Sequence, residues 1–253
     1  MHGRMIVSLF VVAGLAVTGC GLGGSPAPSL APRDEIVAAL DSTAELRTVH
    51  ALVRVEIGGL AAETTTVTME GDVDIKGREL DVTAAFEPEF FGSSEVRLVV
   101  ADGFVFNRQG DVSWSISGDG VQDPLAMVPT TAAIAAAVEV ALRDPETTIR
   151  FEGTEDCGDA TCDRIRAEIP AAVAWRAVTT MIEPLGPPDA SPPPMPESFP
   201  GFAIDVWIEQ GTHRLRQATN TTSVDETTIT IVVALSDHDA PITISPPVAP
   251  PAR

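Results

Sequence analysis

The chain has no tyrosine and only three cysteines, four histidines and three tryptophans among its 253 residues. That shortage leaves few groups for metal ligation or for acid–base and nucleophilic chemistry. Basic side chains are also scarce, 16 against 36 acidic ones, for a formal net charge of −20. Phosphate backbones are bound by basic patches that release counterions, so nucleic acid is excluded as a partner. The same balance disfavours electrostatic docking on anionic lipid. Long hydrophobic runs are missing too: the run from Ile6 to Val17 falls well short of the ~20 residues that span a bilayer. There is no Gly-x-Ser-x-Gly elbow, no Ser-x-x-Lys pair and no glycine-rich phosphate loop. The sequence therefore points to no enzyme, no cofactor and no metal.

Hydrophobic residues make up 44% of the chain, enough for a substantial core. Arg4, the apolar run Ile6 to Val17 and the small residues Thr18 and Gly19 read as a signal peptide over 1–19. Val17-Thr18-Gly19-Cys20 resembles a bacterial lipobox. The resemblance implies cleavage before Cys20 and a diacylglycerol on its thiol, with palmitate-type acyl chains holding the protein on the extracytoplasmic face of the cell membrane. Residues 20–32 have the Gly/Ser/Pro composition of a flexible tether. The folded domain is expected over 33–245, and 246–253 reads as a disordered tail.

With Cys20 assigned to lipid, Cys157 and Cys162 remain as an even pair in the acidic turn from Glu155 to Asp163. In an oxidising compartment the pair is expected to form a disulfide. Four intervening residues and a turn, instead of two and a helix start, speak against redox catalysis. Asp156, Asp159 and Asp163 lack calcium-loop spacing and read as a solvated loop. Asp237-His238-Asp239 reads as a turn before a last strand.

The spacing of apolar residues predicts an amphipathic helix from Arg33 to Thr48. Strand-like alternation follows: Val53/Val55/Ile57, Val67/Met69/Val73, Leu80/Val82/Ala84 and Val96/Leu98/Val100. Turns are expected at Lys76-Gly77-Arg78 and Asp102-Gly103. Leu125 to Leu142 switches to helical spacing, split at Pro129. Two strands flank the cysteine turn, and Pro170 opens a helix to about Ile182. The proline-rich stretch 186–201 reads as a long surface loop. Strands return from Ile204 to Leu235, with Ile242 and Ile244 as a short final one. The count is about eleven strands and three or four helices. It predicts an α+β fold, a curved antiparallel half-barrel sheet with helices covering the concave face.

Several segments together resemble a known family: Thr48-Val49-His50-Ala51-Leu52-Val53, Gly71-Asp72-Val73-Asp74, the hairpin Val99 to Phe106, Trp207 to Arg216 and the closing Leu235 to Ile244. They are similar to the LppX/LprAFG lipoproteins of actinobacterial envelopes, within the wider LolA-like half-barrel group. The resemblance implies an apolar cavity between sheet and helices and a role in carrying or sensing lipids. The chain departs from the family at the proline-rich loop 186–200 and at the Cys157–Cys162 turn.

The cavity is expected to be walled by Val55, Met69, Val82, Leu98 and Ile231 from the sheet. Leu125, Met127, Ile134 and Val138 are expected from the helical cover, where Met and small side chains leave room for acyl chains. The expected function is lipid binding and lipid transport by burial, with a lipid or other hydrophobic small molecule as partner. The alternative is an envelope sensory or scaffold protein on the same fold, with an envelope protein partner and no transported ligand.

Overall fold

Apolar and polar side chains alternate through most of the chain, and each alternating run forms a strand. The computed structural model describes residues 30–59, 64–90, 93–112, 114–117, 131–183, 192–224 and 226–247. Helix α1 (Pro32–Ala44) opens with proline in its first turn and with Asp34 and Glu35 against the positive end of its dipole. Six strands follow: β1 (Thr48–Gly58), β2 (Thr65–Asp74), β3 (Glu79–Phe90), β4 (Ser93–Ala101), β5 (Phe104–Gln109) and β6 (Ser115–Ser117). Helix α2 (Thr131–Arg143), the hairpin β7 (Thr148–Cys157) and β8 (Ala160–Ile169), and helix α3 (Ala171–Ile182) come next. Strands β9 (Phe202–Glu209), β10 (Leu215–Val224) and β11 (Thr227–Ser236) complete the order.

All eleven strands form one antiparallel sheet in the order β6-β5-β4-β3-β2-β1-β11-β10-β9-β8-β7. Two meanders therefore run outward from a central seam where β1 pairs with β11, Val55 opposite Ile231 and Val53 opposite Val233. The edge strands β6 and β7 do not meet, so the barrel stays open. This is the expected α+β half-barrel, with three helices among the described residues.

On one face of the seam Val49, Val55, Ile57, Ile231, Val233 and Leu235 are buried together with Ile165, Val206 and Ile208. A bulge between Leu215 and Gln217 lets Leu215 and Ala218, three residues apart, both face this core. At Gly71 a Cβ would stand 2.0 Å from the Asp81 carbonyl oxygen, so β2 and β3 approach more closely than any side chain allows.

Two expectations change. Helix α1 stops at Ala44 instead of reaching Thr48, because Thr48 already pairs with Asp74 at the start of β1. Ile242 and Ile244 form no strand. Strand β11, which the segment follows, is paired on both sides, so it has no free side for them to join. The segment instead lays Ile244 against Val99, Ala101, Phe106 and Trp114 on the face away from the helices. The expected break at Pro129 lies outside the described residues, as do the tether up to residue 29 and residues 248–253 of the tail.

Candidate functional site

Helices α2 and α3 pack closely on one another, whereas the nearest helix-to-sheet approaches are those of α1 to β7, β9 and β10. A partly open space remains between the helical pair and the β8–β9 part of the sheet. Its floor is Ala167 and Ile169 from β8 with Phe202, Ile204 and Val206 from β9. The roof is Ala137, Val138, Ala141 and Leu142 from α2 with Ala174, Ala177, Val178 and Met181 from α3. Ile36 of α1 closes one side. Every lining residue is apolar, and five of the fourteen are alanines, whose short side chains leave the space unfilled. The cavity measures about 80 Å³. A dry cavity of about 150 Å³ takes up benzene, and drug-sized ligands occupy roughly 300–1,000 Å³. In this conformation the space fits the end of an aliphatic chain and nothing larger.

An aromatic ladder ties the cavity to the proline-rich loop. Trp175 on α3 donates its indole N–H to the Pro193 carbonyl at 3.2 Å. Its ring meets Phe199 edge-on at 4.9 Å, and Phe199 meets Phe202 at 5.7 Å. Phe202 is part of the cavity floor. The described part of the loop is thus strapped to α3 with a direct contact path to the lining.

At one end the apolar floor gives way to an open polar groove of about 450 Å³, which shares Ile169 and Phe202 with the cavity. Glu146, Thr148, Glu168, Thr221, Thr222 and Ser223 line it. Thr222 is 6% exposed, and its hydroxyl has no hydrogen-bond partner among the described residues. Neighbouring Asn220, equally buried, donates to the Ala203 carbonyl at 3.1 Å. These two polar residues sit on the otherwise apolar, helix-facing side of β10, opposite Ile229 and Ile231.

Of the expected wall residues, Val138 lines the cavity. Val55 and Ile231 are paired and packed in the main core and are not among the lining residues. Met69, Val82 and Leu98 lie half-buried on the same face of β2, β3 and β4. Val82 stands between Gly71 and Leu98 in the ladder. Ile134 falls within α2, its side chain outside the described residues; Leu125, Met127 and Cys20 are outside them altogether. Cys157 and Cys162 are bonded across the β7–β8 turn with their Cα atoms 5.8 Å apart, and Cys162 is fully buried. Asp237-His238-Asp239 forms a turn whose Asp239 accepts from the Arg47 backbone at 2.8 Å and pairs with Arg214 at 3.2 Å. Among the described residues no group of His, Cys, Asp or Glu is arranged to hold a metal ion, and no helix is long and apolar enough to cross a membrane.

The Trp175–Phe199–Phe202 ladder escaped the sequence reading, as did Ala167 and Ala174 of the lining. The alanine-rich helical spacing before Leu142 pointed to the α2 part of the lining, Ala137 and Ala141.

An open antiparallel sheet carrying a helical cover over one apolar face defines a half-barrel fold. Solved structures agree. The Mycobacterium tuberculosis lipoprotein LppX matches at a TM-score of 0.50 and 19% identity, over 84% of this chain and 97% of LppX. LprF from Mycobacterium bovis matches at a TM-score of 0.51 and 16% identity, over 88% of this chain and 99% of LprF. The chain has an LppX/LprF-type fold. No protein-family model and no curated protein sequence matches it.

Proposed function

We propose that this protein is a membrane-anchored extracytoplasmic lipoprotein that binds and carries lipids or other hydrophobic molecules in the space between α2–α3 and β8–β9, without catalysing a reaction. The observation that carries the reading is a cavity lined by apolar side chains alone and roofed by a helical pair that packs on itself more than on the sheet. Burial is then the whole mechanism. At ~25 cal/mol per Å², one long acyl chain gains many kcal/mol without a polar anchor. Loading requires α2 and α3 to lift, because the cavity is far smaller than a ligand. The polar groove beside Thr222 offers such a ligand's head an exit to solvent.

Cys20 carries the anchor in this reading, and labelled palmitate supplied to cells is expected in the wild type and absent from Cys20→Ser. The exported protein is also expected to keep Cys157 and Cys162 oxidised.

The small volume favours a second reading, an envelope sensor or scaffold with no transported ligand. Filling the cavity separates the two. Ala141→Leu and Ala177→Leu replace empty space with methyl groups, and cavity filling commonly adds about 0.5–2 kcal/mol of stability. A carrier is expected to melt higher and lose binding of a fluorescent fatty acid. A scaffold is expected to melt higher while the wild type binds none.

A further inference from the structure

The two open edges of the sheet are guarded differently. Edge strands are shielded by shortness, by charge or by a bulge. Strand β6 has three residues, whereas β7 has ten and leaves its outer edge unpaired. Phe151, in the middle of that edge, is 51% exposed. It lies opposite the buried Ile165, so its ring projects on the helix-facing side of the sheet, exposed and uncovered among the described residues. Arg150 and Glu152 flank it on the other face and bond to each other along the strand.

We propose that the β7 edge is a contact surface for a second copy of this chain, the two β7 strands pairing antiparallel about a two-fold axis through Phe151. The sequence around that axis is self-complementary. Phe151 meets Phe151 of the second copy, and Arg150 stands opposite Glu152 of the second copy, twice by symmetry. Residues directly opposite one another across strands have Cβ atoms ~4.5–5.5 Å apart. Residues two apart along one strand are separated by roughly 6.6 Å at the usual rise. Each charge therefore gains a second, directly opposite partner on pairing, while Arg150 keeps its 3.1 Å contact with Glu168 on β8. The Phe151 ring, solvated in the monomer, is covered in the pair.

The bulge limits the contact. The β7–β8 register shifts between Phe151 and Gly153, so a straight ladder extends only a few residues about the axis. The exposed Glu155 and Asp156 then stay clear of their counterparts. A short ladder with one aromatic pair makes a reversible dimer, smaller than an obligate one. Repulsion between two chains of net charge −20 is screened beyond ~8 Å at physiological ionic strength, where the association is to be read.

Sedimentation equilibrium of the full chain over a wide concentration range tests this. The wild type is expected to follow a monomer–dimer equilibrium. Arg150→Glu and Glu152→Arg each set like charges opposite one another twice and should weaken association on the order of tenfold. The double variant Arg150→Glu/Glu152→Arg should recover it to within a few-fold, a rescue that general surface stickiness does not give. Circular dichroism confirms that each variant is folded. If a charge variant fails to fold, Phe151→Thr, which keeps strand propensity and removes the ring, should weaken the dimer. A wild type that stays monomeric throughout, single reversals without effect, or a double variant as weak as the singles would overturn the proposal.

Discussion

His50, on the outer face of β1, sets one ring nitrogen 2.8 Å from Asp72 and the other 3.3 Å from Glu70. A neutral imidazole donates through one nitrogen only, so two carboxylate partners favour the protonated ring. The hydrogen bond to Asp72 is the main cause that raises its pKa above the ordinary 6.5. His238 is the reverse case. Burial, then the charges of Arg216 and Arg214, pushes its pKa below 6.5. The linkage signs follow. The His50 contribution is fully present below pH 6.5 and fades as pH rises through its folded pKa. The His238 contribution is present above pH 6.5 and fades as pH falls. Replacing His50 by Gln is therefore expected to lower Tm most below pH 6.5, with the difference shrinking toward alkaline pH. Melting curves of both proteins across that range check it. A difference that grows with pH would contradict the assignment.

At the scale of elements, the hairpins were legible because their turns carry local chemistry. Asp102-Gly103 takes positive φ at both positions, 54° and 77°, as a tight hairpin requires, and Arg78 takes 57° at the β2–β3 turn. The β1–β11 seam was not legible. It joins residues about 180 positions apart, and alternation tells which side chains share a face without telling which strands meet. Ile242 and Ile244 show the same limit: their alternation is that of a strand, and only the sheet order reveals that β11 before them is already paired on both sides. Val55 and Ile231 face inward as periodicity predicts. Whether an inward residue meets a neighbour or a void depends on the side chain opposite, and here the void arises from alanines on α2, α3 and β8. The β7–β8 hairpin carries its own prediction. The disulfide closes a loop with a sequence separation of 5, for which chain entropy gives only about 2 kcal/mol. Cys157→Ser/Cys162→Ser should lower thermal stability modestly and leave fatty-acid binding intact, because the turn lies apart from the cavity lining. Loss of binding in a folded double variant would show that the hairpin shapes the cavity.

For the whole molecule, the central question is what occupies the space between helices and sheet. In the proposed function, the cavity of about 80 Å³ under α2 and α3 is the empty state of a container and the helical pair is its lid. Apolar lining with no polar group gives no reason to hold water and every reason to take a chain of methylenes. In the proposed function the scale of the ligand is set by how far the helical pair lifts, and the strap through Trp175 and Phe199 is the contact that has to yield. The most direct measurement is native mass spectrometry of the full-length protein extracted from its own membrane in mild detergent. The account predicts a co-purifying lipid at near-stoichiometric ratio in the wild type and its loss in Ala141→Leu/Ala177→Leu. A wild type that flies free of lipid, with a mass matching the acylated chain alone, would contradict it.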